Sequence, residues 1–304
     1  MSESPACKLC GAPTIFAGTK WGRWKRAAFT LRRCENCGYA FVADPWTDFA
    51  AIYCESYYAG RGADPLVDYD FELEHPAESI RVYEWRGILR AVGSLAAVGP
   101  QMRWLDFGCG TGGLVRYCRS QAGCQAVGFE EGAIKGRVAE QGIPVVDAEQ
   151  LKGLEGSCDV VTAIEVFEHV ENPREVFHRI RALLKPGGLL FYTTGNARLH
   201  RKNLARWTYV VPEIHISFYE PRTLDRALRE AGFTPEYRGY LPGFTDILRF
   251  KILKNLRVRR RSGWEERIPW EAAARLADWY VKLSELPVAW AGSRPGVARD
   301  PRAG

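Results

Sequence analysis

The run Trp104-Leu105-Asp106-Phe107-Gly108-Cys109-Gly110-Thr111-Gly112-Gly113 constrains this chain more than any other stretch. Apolar residues lead into it and a helical segment over about 113–121 leaves it, so it reads as the turn between a strand and a helix. Glycine is needed where backbone turns sharply or must come close to a ligand. Downstream, short apolar runs alternate with helical ones. Trp104-Leu105, Ala126–Phe129, Pro144–Val146, Val160–Ile164 and Leu189–Thr193 read as strands, with Glu175–Leu184 among the helices between them. Such alternation predicts an α/β fold with a doubly wound, mostly parallel, Rossmann-like sheet. In Leu183-Leu184-Lys185-Pro186-Gly187-Gly188 a helix should end before the last of these strands.

A glycine turn by itself holds many ligands or none. The next strand, however, ends in Gly128-Phe129-Glu130-Glu131, and a carboxylate there can accept hydrogen bonds from both hydroxyls of a ribose. A dinucleotide would suit the same geometry, but Asp106 before the turn would repel a pyrophosphate and attract a cationic group instead.

Other segments carry a resemblance. They are Asp147-Ala148 at a strand end, Cys158-Asp159-Val160-Val161, the Leu183–Leu190 run, and Ile164-Glu165-Val166-Phe167-Glu168-His169-Val170. His215-Ile216-Ser217-Phe218-Tyr219, Thr223-Leu224 and Ala231-Gly232-Phe233 complete the set. With the glycine turn they resemble class I S-adenosylmethionine (SAM)-dependent methyltransferases, in the branch acting on small molecules, over about 102–235. The resemblance implies a seven-stranded sheet. It also implies that Asp106, Gly108 and Gly110 meet the methionine portion of SAM and that Glu130 binds the ribose. Asp147 with Ala148 would meet the adenine, and Glu165 would lie below the sulfonium. A helix cap is the alternative role for Asp147.

Nine cysteines in a chain whose first residues carry no secretory pattern do not form a disulfide framework. A cytoplasmic protein is expected. Four of the nine form Cys7-Lys8-Leu9-Cys10-Gly11 and Cys34-Glu35-Asn36-Cys37-Gly38, two pairs with 23 residues between them. Four thiolates suit a tetrahedral, structural zinc ion with no position left for water. The other five, Cys54, Cys109, Cys118, Cys124 and Cys158, read as reduced thiols on apolar elements. An N-terminal zinc ribbon on a methyltransferase resembles two groups: enzymes of sugar and natural-product biosynthesis, and ribosomal RNA guanine methyltransferases. The Tyr-rich stretch Ile52–Gly60 resembles the first, which implies that Tyr57 or Tyr58 closes over SAM; packing between ribbon and core is the alternative.

Methyl transfer to a hydroxyl or an acidic C–H needs a base. His215 is favoured, with Glu213 two residues away and on the same side if the segment is extended. His169 is the second choice, while His178 and His200 read as surface residues. Net charge is +6, and Lys251–Arg261 carries six basic residues and no acid. That arm could bind phosphate of a nucleotide-linked or otherwise anionic small molecule, an RNA or a lipid surface, or be a solvated helix face.

The chain is thus expected to divide into a zinc ribbon (1–50), a Tyr-rich linker and helix (51–100), a SAM-binding domain (101–245) and a basic helical extension (246–304), with Gly292–Gly304 loose. The leading function is O- or C-methylation of a small biosynthetic intermediate such as a sugar. An rRNA methyltransferase and a SAM-binding regulatory protein are the alternatives. No membrane span is expected.

Overall fold

The computed structural model describes residues 5–64, 66, 68–236, 241–283 and 296–301. In chain order its strands are β1 (Ile15–Trp21), β2 (Ala28–Arg33), β3 (Ala40–Val42), β4 (Arg103–Phe107), β5 (Gln125–Phe129), β6 (Val145–Val146), β7 (Cys158–Ile164), β8 (Leu184–Thr193), β9 (Ser217–Phe218), β10 (Thr234–Glu236) and β11 (Gly296–Arg299). Seven form one sheet in the order β10-β11-β8-β7-β4-β5-β6. From β8 to β6 every pairing is parallel, whereas β11 runs antiparallel to both neighbours. The expected α/β architecture is therefore the observed one. Trp104 to Phe107 and Val160 to Ala163 are buried throughout, as strands covered on both faces must be.

The chain runs outward from β4 through β5 to β6, then returns to β7 on the other side of β4. That reversal opens a crevice beyond the carboxyl ends of β4 and β7, the place where such sheets bind ligands. The helix Gly113–Ala122 starts there from Gly112, whose φ of +67° favours glycine. The helix Arg81–Gly93 crosses it at Gly113, where a Cβ would overlap the Trp85 ring. Gly113→Ala is expected to cost about 1–3 kcal/mol, as overpacking does. A urea midpoint equal to the wild type's would show that Trp85 gives way freely.

The end of the chain is not loose or purely helical where it is described. After the helices Phe244–Asn255 and Trp270–Leu283, β11 inserts between β8 and β10, with Val297 opposite Phe191 and Ala298 opposite Leu190. Both residues are buried, and Arg181 lies 2.5 Å from the Asp300 carboxylate just past the strand. Pairing and burial together outweigh a local composition of Gly, Pro and Arg that suggests a coil.

The second sheet is antiparallel, β1-β2-β3-β9, and takes its last strand from the segment after β8: Ala40 pairs with Phe218 and Phe41 with Ser217. Tyr39 shares a hydrogen bond with Ser217 (2.7 Å), and its ring packs on Tyr219. The N-terminal ribbon is thereby stitched to the polypeptide immediately after His215. No described helix is long and apolar enough to cross a membrane.

Candidate active site

The crevice holds a cavity of about 1020 Å³ walled by the glycine turn, the ends of β5 and β7, the loop 207–215, the Tyr-rich segment and the start of the basic arm. Its first half belongs to the turn. Gly108 and Gly110 have φ of +75° and +53°, and Glu130 braces the turn by accepting from Gly110 N–H (2.9 Å) and Gly132 N–H (2.7 Å). Asp106 is buried and accepts from the Thr162 hydroxyl at 2.7 Å; burial raises its pKa to about 7 against the effect of that bond. Tyr57 and Tyr58 stand over this half. Tyr57 stacks on Tyr69 (5.6 Å) and meets the edges of Tyr53 and Tyr58. All four tyrosines line the cavity.

Of the two roles open to Asp147, the helix cap is the one its side chain performs. Asp147 is exposed and caps the helix Ala148–Lys152, accepting from Glu149 N–H (3.0 Å) and Gln150 N–H (2.8 Å) while Gln150 returns a bond to its backbone. Neither Asp147 nor Ala148 lines the cavity. The spacing Asp-x-x-Gln is a capping box, and here capping uses the side chain.

The second half gathers around β7 and the loop 207–215. Glu165 follows β7 with φ +53°, a conformation that costs a non-glycine residue roughly 1–3 kcal/mol. Its carboxylate is buried, which would raise the pKa, but the Lys251 ammonium 2.9 Å away outweighs burial and holds it down to about 2. Glu168 is buried too. It accepts from Thr194 (2.7 Å) and from the Tyr209 hydroxyl, and burial plus the charge of Glu165 pushes it up to about 7. His169 and His215 meet edge to face at 4.9 Å. Burial lowers both pKa values, that of His169 to about 4 with the second imidazole adding to the effect. Donor atoms of Glu168, His169 and His215 lie within 4.8 Å of one another.

The partner of His215 is not Glu213. Nδ1 of His215 lies 2.6 Å from the Tyr209 carbonyl, and a carbonyl can only accept. The proton therefore sits on Nδ1 and the lone pair on Nε2. Glu213 turns the other way and accepts from the N–H groups of Trp24 (2.8 Å) and Lys25 (3.3 Å) in the β1–β2 turn. The assumption of extended backbone fails because Ile214 N–H and His215 N–H both bond to Val211 O, closing a tight turn. His200 stacks on Trp207 at 4.8 Å, and His178 lies exposed on the helix Pro173–Leu183.

Two residues that the sequence did not assign to the site join it. Tyr209 bonds Glu165 (3.2 Å) and Glu168 through its hydroxyl, which also accepts from Gly195 N–H. Lys251 enters from the basic arm. Much of that arm is matched to acids: Lys254 to Asp64 (3.8 Å), Arg259 to Asp68 (3.1 Å) and Arg261 to Glu266 (3.6 Å). Tyr209 sits in an apolar run with no local mark of function, and Lys251 was marked only as the first member of the basic arm.

In the N-terminal ribbon, Sγ of Cys7 and Cys37 are 3.6 Å apart, and those of Cys10 and Cys34 3.5 Å apart. All four sulfurs could share one ion.

A family model described as a methyltransferase domain matches residues 79–237. The ubiquinone biosynthesis O-methyltransferase of Bordetella pertussis is 31% identical over 210 residues, covering 62% of this chain and 81% of that protein. The protein of the same name from Burkholderia pseudomallei is 33% identical over 151 residues, covering 44% and 65%. Among solved structures, Haemonchus contortus phosphoethanolamine N-methyltransferase 2 aligns with a TM-score of 0.48 at 16% identity, over 84% of this chain and 60% of that one.

Proposed function

This chain belongs to the class I SAM-dependent methyltransferases, and from that premise we propose that it methylates an oxygen of a small organic molecule. The observation that carries the reading is the His215 imidazole, its proton fixed on Nδ1 by the Tyr209 carbonyl and its Nε2 left as a base beside Glu168 and His169. Burial lowers its pKa, so the ring is neutral and able to take a proton near pH 7. The curated relatives are named as O-methyltransferases. Their names point to no sugar, so the acceptor is taken as a hydroxyl compound without that restriction.

SAM supplies an electrophilic methyl group when bound. Glu130 would hold its ribose, the backbone from Asp106 to Gly110 its methionine portion, and Tyr57 or Tyr58 would cover it. His215 would remove the hydroxyl proton as the oxygen attacks, with His169 packed against it as the alternative base. The pairing of Lys251, Lys254, Arg259 and Arg261 with acids disfavours an RNA acceptor, because such an arm offers little free charge to a phosphate backbone.

His215→Ala is expected to lower turnover about 10²–10⁴-fold while leaving the affinity for S-adenosylhomocysteine (SAH) unchanged. Labelled SAM offered with a panel of phenols, catechols and sugar alcohols supplies the assay. Normal turnover in the variant disqualifies His215, and label carried only to nitrogen or carbon sinks the oxygen reading.

The cysteine cluster would hold zinc. Tetrahedral zinc with bonds of about 2.3 Å places its sulfurs roughly 3.8 Å apart, close to the separations seen here. With four protein ligands the ion would be structural.

A further inference from the structure

The helix Phe244–Asn255 lies beyond the stretch matched to the family, yet it delivers a charge to the floor of the site. Nζ of Lys251 stands 2.9 Å from Glu165 and 3.6 Å from Glu84. Glu84 pairs with Arg81 (2.8 Å), and Arg81 also holds Glu72 (3.2 Å). The side chains of Lys251 and Glu84 are only 11% and 2% exposed. Two cations thus serve three carboxylates along one buried line, with Lys254 and His215 also near enough to act on it electrostatically. This helix is packed closely on the helix Arg81–Gly93, near enough that a Cβ at Gly243 would run into the Gly87 carbonyl.

Buried ion pairs seldom stabilise a fold more than apolar residues of the same volume would. A lysine carried this far into a ligand cavity invites a functional account. The methyl donor is a sulfonium cation and its by-product a neutral thioether. During transfer the C–S bonding pair passes to sulfur as the O–C bond forms, so positive charge at sulfur is lost on the way to the transition state. A bare carboxylate under the sulfur would bind the donor in its ground state and lose that interaction as reaction proceeds, which slows the chemical step.

We propose that Lys251 is a positioning residue that neutralises Glu165, so that the floor of the site distinguishes little between the charged donor and the neutral by-product. The proposal rests on the donor being SAM. It assigns the appended helix a part in the site, although the helix stands outside the methyltransferase core.

The experiment measures Kd for SAM and for SAH by titration calorimetry on the full chain. Taking away the ammonium in Lys251→Met exposes one negative charge. The ratio Kd(SAH)/Kd(SAM) should rise about ten-fold, a modest share of what a unit charge exerts at an effective dielectric of about 20. Glu165→Gln should move the ratio the other way, and the double variant should return it to the wild-type value. Lys251→Arg should preserve it. A purely structural lysine would lower the melting temperature and leave the ratio where it was, and an unmoved ratio in a folded Lys251→Met overturns the proposal. Should that variant fail to fold, Glu165→Gln and the double variant decide by the same ratio. Wild-type protein that binds neither compound overturns the donor reading and this one together.

Discussion

Glu130→Ala is expected to abolish nearly all of the thermal stabilisation that SAM or SAH gives the wild-type protein. A ligand at a hundred times its Kd stabilises by about 2.7 kcal/mol. For a chain of this size that is a rise of about 4 °C in melting temperature. Glu130 has two claims on that effect. Its carboxylate ends β5 beside the glycine turn, where ribose hydroxyls would be received, and it ties down the N–H groups of Gly110 and Gly132. The variant loses the ligand bonds and the brace at once. Its stability without ligand should therefore also fall, by up to roughly 1–3 kcal/mol, the cost of stranding a donor. The decisive quantity is the difference with and without ligand, which separates the two losses. A ligand-induced rise as large as the wild type's would remove Glu130 from the cofactor site.

The second large effect concerns the cysteines. Cys34→Ser should release about one zinc per chain and leave the first fifty residues open to protease. Binding of structural zinc supplies roughly 10–16 kcal/mol in small finger domains, more than most whole domains have to spare. Here the damage should spread, because β3 pairs with β9 and Glu213 holds the β1–β2 turn by two backbone N–H groups. Both anchors lie within two residues of His215, so metal loss should depress turnover as well as stability. Metal analysis with limited proteolysis checks the first claim, and an assay of the metal-depleted protein the second. Full activity and an unchanged digestion pattern without metal would show that the ribbon stands on its own packing.

What could be read from the sequence follows physical range. The parallel strands and the glycine turn were legible because each is encoded within a few residues, by burial on both faces and by positive φ. The cysteine quartet was legible because paired knuckles carry their spacing with them. Asp147 shows the limit: its capping box was also written locally, and the local role is the one its side chain performs. Glu213 was misjudged because two-residue spacing brings side chains together only in extended backbone, and residues 211–215 form a turn. The contacts of Tyr209 and Lys251 with Glu165 were out of reach, since they span 44 and 86 positions through packing that no periodicity announces. β11 was hidden for the same reason, its partners β10 and β8 lying about sixty and over a hundred residues earlier.

That strand also orders events in synthesis. β11 lies between β8 and β10, not at the edge of the sheet, so the sheet cannot close until residue 299 has left the ribosome. Until then the nascent chain carries β8 with one side unpaired and β10 with no neighbour, both able to pair with another molecule. A ribosome that stops short of β11 would therefore release a protein with an almost complete catalytic half and an adhesive seam. Chains shortened before residue 296 should appear in cells as aggregates and clients of chaperones more than as weakened enzymes.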